Sequence, residues 1–235
     1  MQRFTKPECQ ACPHRQNPLL SCCSPEELAS INSNKTTLHY QKGQYIYQEG
    51  SQAMGLFCIN QGKIKLAKAA GDNKEQIVHL LREGGVMGYR ALVAGSRYTH
   101  SAVALEDCVV CFMPRLDFLQ LVQGNQQFAM GLMQLLAQTL GLAEERMLHL
   151  AYKPVRERLA GALLFVQQTF HREDEALPFR IALGREDLAA LVGTAKETVS
   201  RLLSEFKDAG MIVTRGSQIT ILKPLRLQEL ATMYD

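Results

Sequence analysis

"LGREDLAALVGTAKETVSRLLSEFKDAGMIVTRGSQITIL", Leu183 to Leu222, changes its hydrophobic period twice. A first helix is expected from Arg185 to Val192, stopping at Gly193. Thr194 is then placed to cap a second helix, with Glu197 three residues on, which is the T-x-x-E spacing of a capping box. In that second helix Val199, Leu202, Leu203 and Phe206 fall on one face, and Lys196, Glu197, Ser200 and Arg201 fall on the other. Gly210 ends it. "MIVTRGSQITIL" then alternates as a strand, a turn around Arg215–Gly216, and a second strand. Helix, tight glycine turn, capped helix and hairpin follow in the order of a winged helix-turn-helix.

That order points to a chemistry. A second helix of this length can lie in a major groove and present its first turns to base edges. Arg201 can bond a guanine bidentately, and Glu197 can accept from a cytosine amino group. The capped helix N-terminus and Thr198 suit phosphate contacts, and Thr194 and Arg215 are counted with them as DNA-binding residues. Taken alone, Glu197 and Arg201 at i, i+4 could be a surface ion pair. The complete helix–glycine–helix–wing series favours double-stranded DNA as the partner.

The charge balance neither adds to this nor opposes it. Net charge is +3 over 235 residues, and from Lys153 onward 12 Lys and Arg stand against 11 Asp and Glu. Basic groups must therefore act by arrangement on one face rather than by excess. The length suits two domains of about 100–150 residues each. No apolar run approaches the ~20 residues of a membrane span, so no membrane partner is expected. "MQRFTKPECQ" lacks a secretory h-region, so a cytoplasmic location is expected. No G-x-S-x-G, H-E-x-x-H or Walker loop is present, and no enzymatic activity is expected.

From about Leu38 to Pro114 the period is two, broken by turn glycines at 43, 50, 62 and 71. Short strands at roughly 8–12-residue spacing predict a β-roll of the double-sheet jelly-roll kind. Before it, "SPEELASI" reads as a short helix with Ser24 as N-cap, Pro25 at N1 and Glu27 closing a capping box. After it, Met133, Leu136, Leu140, Ala143, Met147 and Leu150 recur in steps of three and four. That seam can pack on its own domain or form a dimer coiled coil. Pro154 marks a joint before the helix "VRERLAGALLFVQQTF", and "HREDEALPFR" reads as a charged loop. The expected organisation is α+β: a Cys-rich segment over 1–24, a sensor β-roll over 25–124, a dimerisation helix over 125–152 and a DNA-binding domain over 153–235.

Four of the seven cysteines lie in "CQACPHRQNPLLSCC", Cys9 to Cys23. An odd count in a reducing compartment argues against a disulfide framework. Ligation or thiol redox chemistry at Cys9, Cys12, Cys22 and Cys23 stays open, including a zinc site with His14, and so does the alternative of no metal, with another small molecule or no ligand in the roll. Cys58 and Cys108, in strand-like stretches, read as small buried hydrophobes, and Cys111 suits either role.

Over almost its whole length the chain resembles the Crp/Fnr family of bacterial transcription regulators. The specific part is "LAALVGTAKETVSRLLSEFKDAGMI" (Leu188–Ile212). The family's E-T-[VI]-[SG]-R is matched by Glu197, Thr198, Val199, Ser200 and Arg201. Ser before Arg resembles the Fnr branch, the fumarate and nitrate reduction regulators, and implies an inverted repeat of TTGAT-like half-sites read by a homodimer. Lys196 departs from the family pattern at its position. The cAMP-binding members carry G-E-L and R-S-A. Here "GVMG" (Gly85–Gly88) puts Val86 in place of the Glu, and "HSA" (His100–Ala102) puts His100 in place of the phosphate-pairing Arg, so cAMP is not the expected ligand. The Fnr branch implies a [4Fe–4S] cluster and oxygen sensing. Cys9, Cys12 and Cys111 match three of its ligands. Pro18 stands where the remaining one is expected, with Cys22 and Cys23 as nearby substitutes. The turn at Gly71–Asp72 resembles a family surface for RNA polymerase, with a plain turn as the alternative; an activator is expected, the sign at each promoter staying open.

Overall fold

The computed structural model describes residues 7–15, 17, 19–71, 74–171 and 180–232. By packing, the chain divides into two compact units. One is residues up to 68 with 81–141, and the other is residues 69–80 with 142 onward. The division passes through the long helix and places the tip of one hairpin with the C-terminal part.

The N-terminal part opens with α1 (Pro25–Asn34), whose start follows its sequence signals. Ser24 Oγ accepts from Glu27 N at 3.2 Å, and Ser24 N donates to Glu27 Oε2 at 2.7 Å, with Pro25 at N1. The strands are β1 (Thr36–Tyr40), β2 (Tyr45–Tyr47), β3 (Gly55–Gln61), β4 (Ile64–Ala69), β5 (Glu75–Leu81), β6 (Val86–Met87), β7 (Ser101–Ala104) and β8 (Cys108–Pro114), with α2 (Tyr89–Ala94) between β6 and β7. They form two four-stranded sheets, ordered β1-β8-β3-β6 and β2-β7-β4-β5. This is the expected β-roll. Gly43, Gly50, Gly62 and Gly71 all have φ between 81° and 99°, the region in which a side chain would be strained. Leu56, Ile59, Ile64, Leu66, Ala102 and Val110 are buried in its core.

Strand β8 lies between β1 and β3, each antiparallel to it. The β3–β8 register runs from Gly55↔Pro114 to Ile59↔Val110 and sets Cys58 directly opposite Cys111. Directly opposed residues project from the same face of a sheet.

Two helices follow the roll, α3 (Arg115–Gly124) and α4 (Gln126–Tyr152). Asn125 separates them: its Oδ1 accepts from Phe128 N at 3.0 Å, and its amide donates to the Glu27 carboxylate. Phe118 packs edge-on against Phe128, with ring centroids 5.9 Å apart. Phe128, Leu132 and Thr139 are the buried residues of α4.

In the second unit Pro154 stands at the joint, as expected, and α5 (Val155–Phe170) begins after it. Strand β9 (Arg180–Ile181) precedes α6 (Arg185–Val192), α7 (Lys196–Asp208), β10 (Ile212–Arg215), β11 (Gln218–Ile221) and α8 (Pro224–Ala231). The core is Leu159, Leu163, Val166, Leu188, Val199, Leu203, Phe206 and Leu227, all nearly inaccessible. Strand β9 and helix α8 go beyond the elements read from the sequence. Strand β9 adds a third strand to the wing through Ile181↔Ile219, while most of the expected charged loop, 172–179, lies outside the described residues. Among the described residues no helix is long and apolar enough to cross a membrane.

Candidate functional site

Helices α6 and α7 are set by the turn between them. Gly193 adopts φ 72°, and the N–H groups of Gly193 and Thr194 both donate to Ala189 O, at 2.9 and 3.1 Å. This Schellman-type closure satisfies the end of α6. It also corrects the expected cap. Thr194 is spent finishing α6, so Ala195 becomes the N-cap of α7, its carbonyl accepting from Val199 N at 3.2 Å, with no side-chain cap. The Thr194–Glu197 capping box does not form.

The two faces of α7 separate as the sequence predicts. Val199, Leu202, Leu203 and Phe206 are buried, while Lys196, Glu197, Ser200 and Arg201 are exposed and Thr198 is half-buried. Lys196 Nζ pairs with Glu186 Oε1 at 2.5 Å, and that bond lifts its pKa above the ordinary lysine value. Arg201 pairs with Glu205, one turn onward, rather than with Glu197. Glu205 also lies 3.9 Å from Arg156 Nε. Arg215 is exposed at the wing turn, where Arg185 donates to Gly216 O at 2.7 Å and ties the start of α6 to the wing tip. The result is an exposed row of Lys196, Glu197, Ser200 and Arg201 along the first two turns of one rigid helix, with a basic residue at the wing. All of these side chains can exchange protein partners for base edges and phosphates.

On α4 the expected seam is turned outward. Met133, Leu140 and Met147 are 54%, 61% and 63% exposed, Ala143 and Leu150 are also exposed, and Leu136 is half-buried. These residues leave the helix an uncovered apolar stripe while Phe128 and Leu132 serve its own core.

At the positions where cAMP-binding relatives carry acid and arginine, Val86 is buried in β6 and His100 is buried beside Tyr47, sharing a 3.0 Å hydrogen bond with its hydroxyl. Burial, helped by Arg90, lowers the His100 pKa to about 4. His100 is therefore neutral near pH 7 and offers a phosphate no charge.

The cysteines divide into groups that the sequence does not reveal. Cys9, Cys12, Cys58 and Cys111 line one small cavity of about 50 Å³, walled also by Leu28, Ile31 and Lys35. Lys35 is 5% exposed, and its ammonium donates to Pro7 O and, at 3.2 Å, to Cys9 Sγ. Burial pushes the Cys58 and Cys111 thiols upward. Cys22 and Cys23 do not line this cavity. Cys22 Sγ donates to Leu19 O at 3.3 Å, and Cys23 is buried with its pKa pushed up to about 12. His14 bonds Asn60 O at 3.0 Å, away from the thiols of the cavity. Cys108 is buried against the Lys63 and Glu106 carbonyls, as a small core residue. Among the described residues no three ligating side chains close tightly enough to hold a single metal ion. Pro18 and Asp72 lie outside the described residues.

A roll, a long helix with an apolar stripe and a winged helix-turn-helix with an exposed polar row define a DNA-binding transcription regulator. Comparison with known proteins agrees. A cyclic nucleotide-binding domain matches residues 37–125, and a Crp-like helix-turn-helix domain matches 157–230. The chain is 31% identical to the fumarate and nitrate reduction regulatory protein of Vibrio cholerae serotype O1, covering 81% of this chain and 76% of that one. It is 28% identical to the cyclic AMP receptor protein of Thermus thermophilus, covering 92% and 97%. The structure of FixK2 from Bradyrhizobium japonicum superposes with a TM-score of 0.74 at 29% identity, covering 83% and 96%. The chain belongs to the Crp/Fnr family of transcription regulators.

Proposed function

We propose that this chain works in the cytoplasm as a homodimeric, sequence-specific transcription regulator. Its β-roll would report oxygen or redox state through a thiolate-held [4Fe–4S] cluster. The exposed row on α7 carries the DNA half of this reading. Arg201 and Glu197 read bases, while Lys196, Thr198, Ser200, Thr194 and Arg215 position the helix on phosphates of TTGAT-like half-sites. Two such helices, one per protomer, must sit about one DNA turn apart to read an inverted repeat. The α4 stripe supplies the axis that fixes their spacing, by pairing Met133, Leu136, Leu140, Ala143, Met147 and Leu150 with the same residues of a second copy. The bound dimer would then contact RNA polymerase as an activator.

The sensor half rests on four thiols around one cavity with a buried lysine beside them. The residues suit an iron–sulfur group in number and type, since such clusters take four cysteine thiolates, and a buried cation offsets part of their negative charge. When bound, the cluster supplies oxygen-sensitive chemistry to the unit that contains the N-terminal half of α4. Because α4 is one continuous helix, a change at its N-terminal half alters how its stripe meets the partner. The test is an absorbance spectrum with iron and sulfide assays on protein purified without oxygen. A broad band near ~400 nm with about four irons and four sulfides per chain, bleached by air, is expected. Colourless, iron-free protein overturns the sensor half and leaves the DNA half intact.

A further inference from the structure

We infer that Cys58 is the ligand that completes the cysteine set, so that Cys9, Cys12, Cys58 and Cys111 hold the cluster and Cys22 and Cys23 do not. The inference rests on the cluster reading above and assigns its sulfurs.

Strands β3 and β8 pair in antiparallel register, with Cys58 the direct partner of Cys111. Their Cβ atoms therefore stand about 4.5–5.5 Å apart on one face of the sheet. That face looks toward the N-terminal segment, whose turns bring Cys9 and Cys12 over the same cavity. Those turns are tied in place from several sides. Cys9 N donates to Asn32 Oδ1 at 3.2 Å, Arg15 N donates to Cys12 O at 3.0 Å, and Asn17 donates to Gly84 O. Two sulfurs come from the sheet and two from the segment above it, around a space whose walls also include Leu20, Leu28 and Ile31 and the basic side chains Arg15 and Lys35. Leu28 and Ile31 are buried residues of α1, so water is kept from that wall.

The alternative ligands are committed elsewhere. Cys23 is 4% exposed and packed in the core, and Cys22 donates to Leu19 O. The carbonyl of Cys22 accepts from Asn125, whose amide also bonds Glu27. Bringing either sulfur to the cavity would break the junction that holds the start of α1 to the start of α4. Cys58 needs no such movement. At about 50 Å³ the cavity has room for only a few waters. Seating a cluster therefore requires the cavity to open, and the wall outside sheet and helix is the turn segment that carries Cys9, Cys12, Arg15 and Leu20. Lys35 adds the charge logic. A buried ammonium that already donates to Cys9 Sγ is placed to offset the charge of thiolates formed when the thiols give up their protons to ligation.

The experiment uses the full chain, purified without oxygen and reconstituted with ferrous iron and sulfide. Iron, sulfide and the absorbance band are measured for unmutated protein, Cys58→Ala, Cys111→Ala and the Cys22→Ala/Cys23→Ala double variant. Both single variants are expected to lose most of the iron and the band, and the double variant to keep both. Full loading of Cys58→Ala, or loss of loading in the double variant, overturns the assignment while the cluster reading stands. Unmutated protein that takes up no iron or sulfide overturns the cluster reading itself, before any variant is compared. Alkylation of unmutated protein covers the case in which Cys58→Ala does not fold. Chelating the iron should raise labelling of Cys9, Cys12, Cys58 and Cys111 severalfold and leave Cys22 and Cys23 unchanged. Labelling of Cys58 that does not respond to iron overturns the assignment.

Discussion

Arg201→Ala tests how the chain reads DNA. The Arg201 side chain is 65% exposed and paired with Glu205 at i+4. An exposed pair of this kind contributes about 0.3–0.5 kcal/mol, and here the base precedes the acid, the weaker order along a helix. Docking that exchanges the pair for a bidentate guanine contact gives up this amount and gains about 1–3 kcal/mol of discrimination. Removing Arg201 should therefore weaken binding to an inverted TTGAT repeat by roughly 5- to 150-fold per half-site. Binding to random duplex should change much less. Stability should stay within about 0.5 kcal/mol, because Arg201 lies outside the buried face of Val199, Leu202, Leu203 and Phe206. Glu205→Gln should act in the opposite direction, by about twofold, since it releases Arg201 beforehand. Fluorescence anisotropy at one fixed salt concentration, on the repeat and on a duplex with the guanine replaced, reads all of these. If Arg201→Ala loses the same factor on cognate and random DNA, the residue is a phosphate contact and the base-reading argument is wrong.

Three other perturbations follow. Leu140→Glu or Met147→Glu, on the exposed stripe of α4, should convert dimer to monomer in sedimentation, whereas Glu144→Ala/Glu145→Ala should tighten the dimer by removing apposed carboxylates; unchanged sedimentation in both cases would remove α4 as the dimer axis. His100 has a pKa of about 4 in the fold, set chiefly by burial and then by Arg90, against about 6.5 unfolded. The unfolded chain thus binds a proton that the fold excludes, so stability is full above about pH 6.5 and falls toward pH 4 by roughly 3 kcal/mol; His100→Gln should flatten that acid limb in denaturant titrations, and an unaltered limb would count against the burial argument. Gly193→Ala forces a side chain into φ 72° with its Cβ 2.9 Å from Leu150 Cδ2, so it should cost at least about 1–2 kcal/mol, read as a lower melting temperature, and a neutral substitution would contradict the turn described between α6 and α7.

How much of this was legible in the sequence depended on how local each signal is. The Ser24 cap and the α7 faces are written in residues three and four apart, and both formed. The wing needed only one alternating run and a glycine turn. Thr194 looked like a cap by the same local rule, but Gly193 and Thr194 both close α6 through their N–H groups, and the start of α7 falls one residue later, at Ala195. Arg201 had a carboxylate four residues away on either side, and spacing alone does not choose Glu205 over Glu197. Cys58 was least legible. Its partner Cys111 lies 53 positions away in β8, so the pairing is set by which strands neighbour each other and in what register. A lone cysteine in "GLFCI" looks like any core thiol until that register is known.

Under the proposed function, a dimer reads a specific inverted repeat under control of the N-terminal unit. The most direct measurement is one anisotropy titration of anaerobic, iron-loaded protein against a TTGAT…ATCAA duplex and a scrambled duplex, repeated on the same sample after air. One dimer per duplex, a preference of about 10³ or more for the repeat, and weaker binding to it after air are expected. Identical isotherms on the two duplexes would contradict the proposed function.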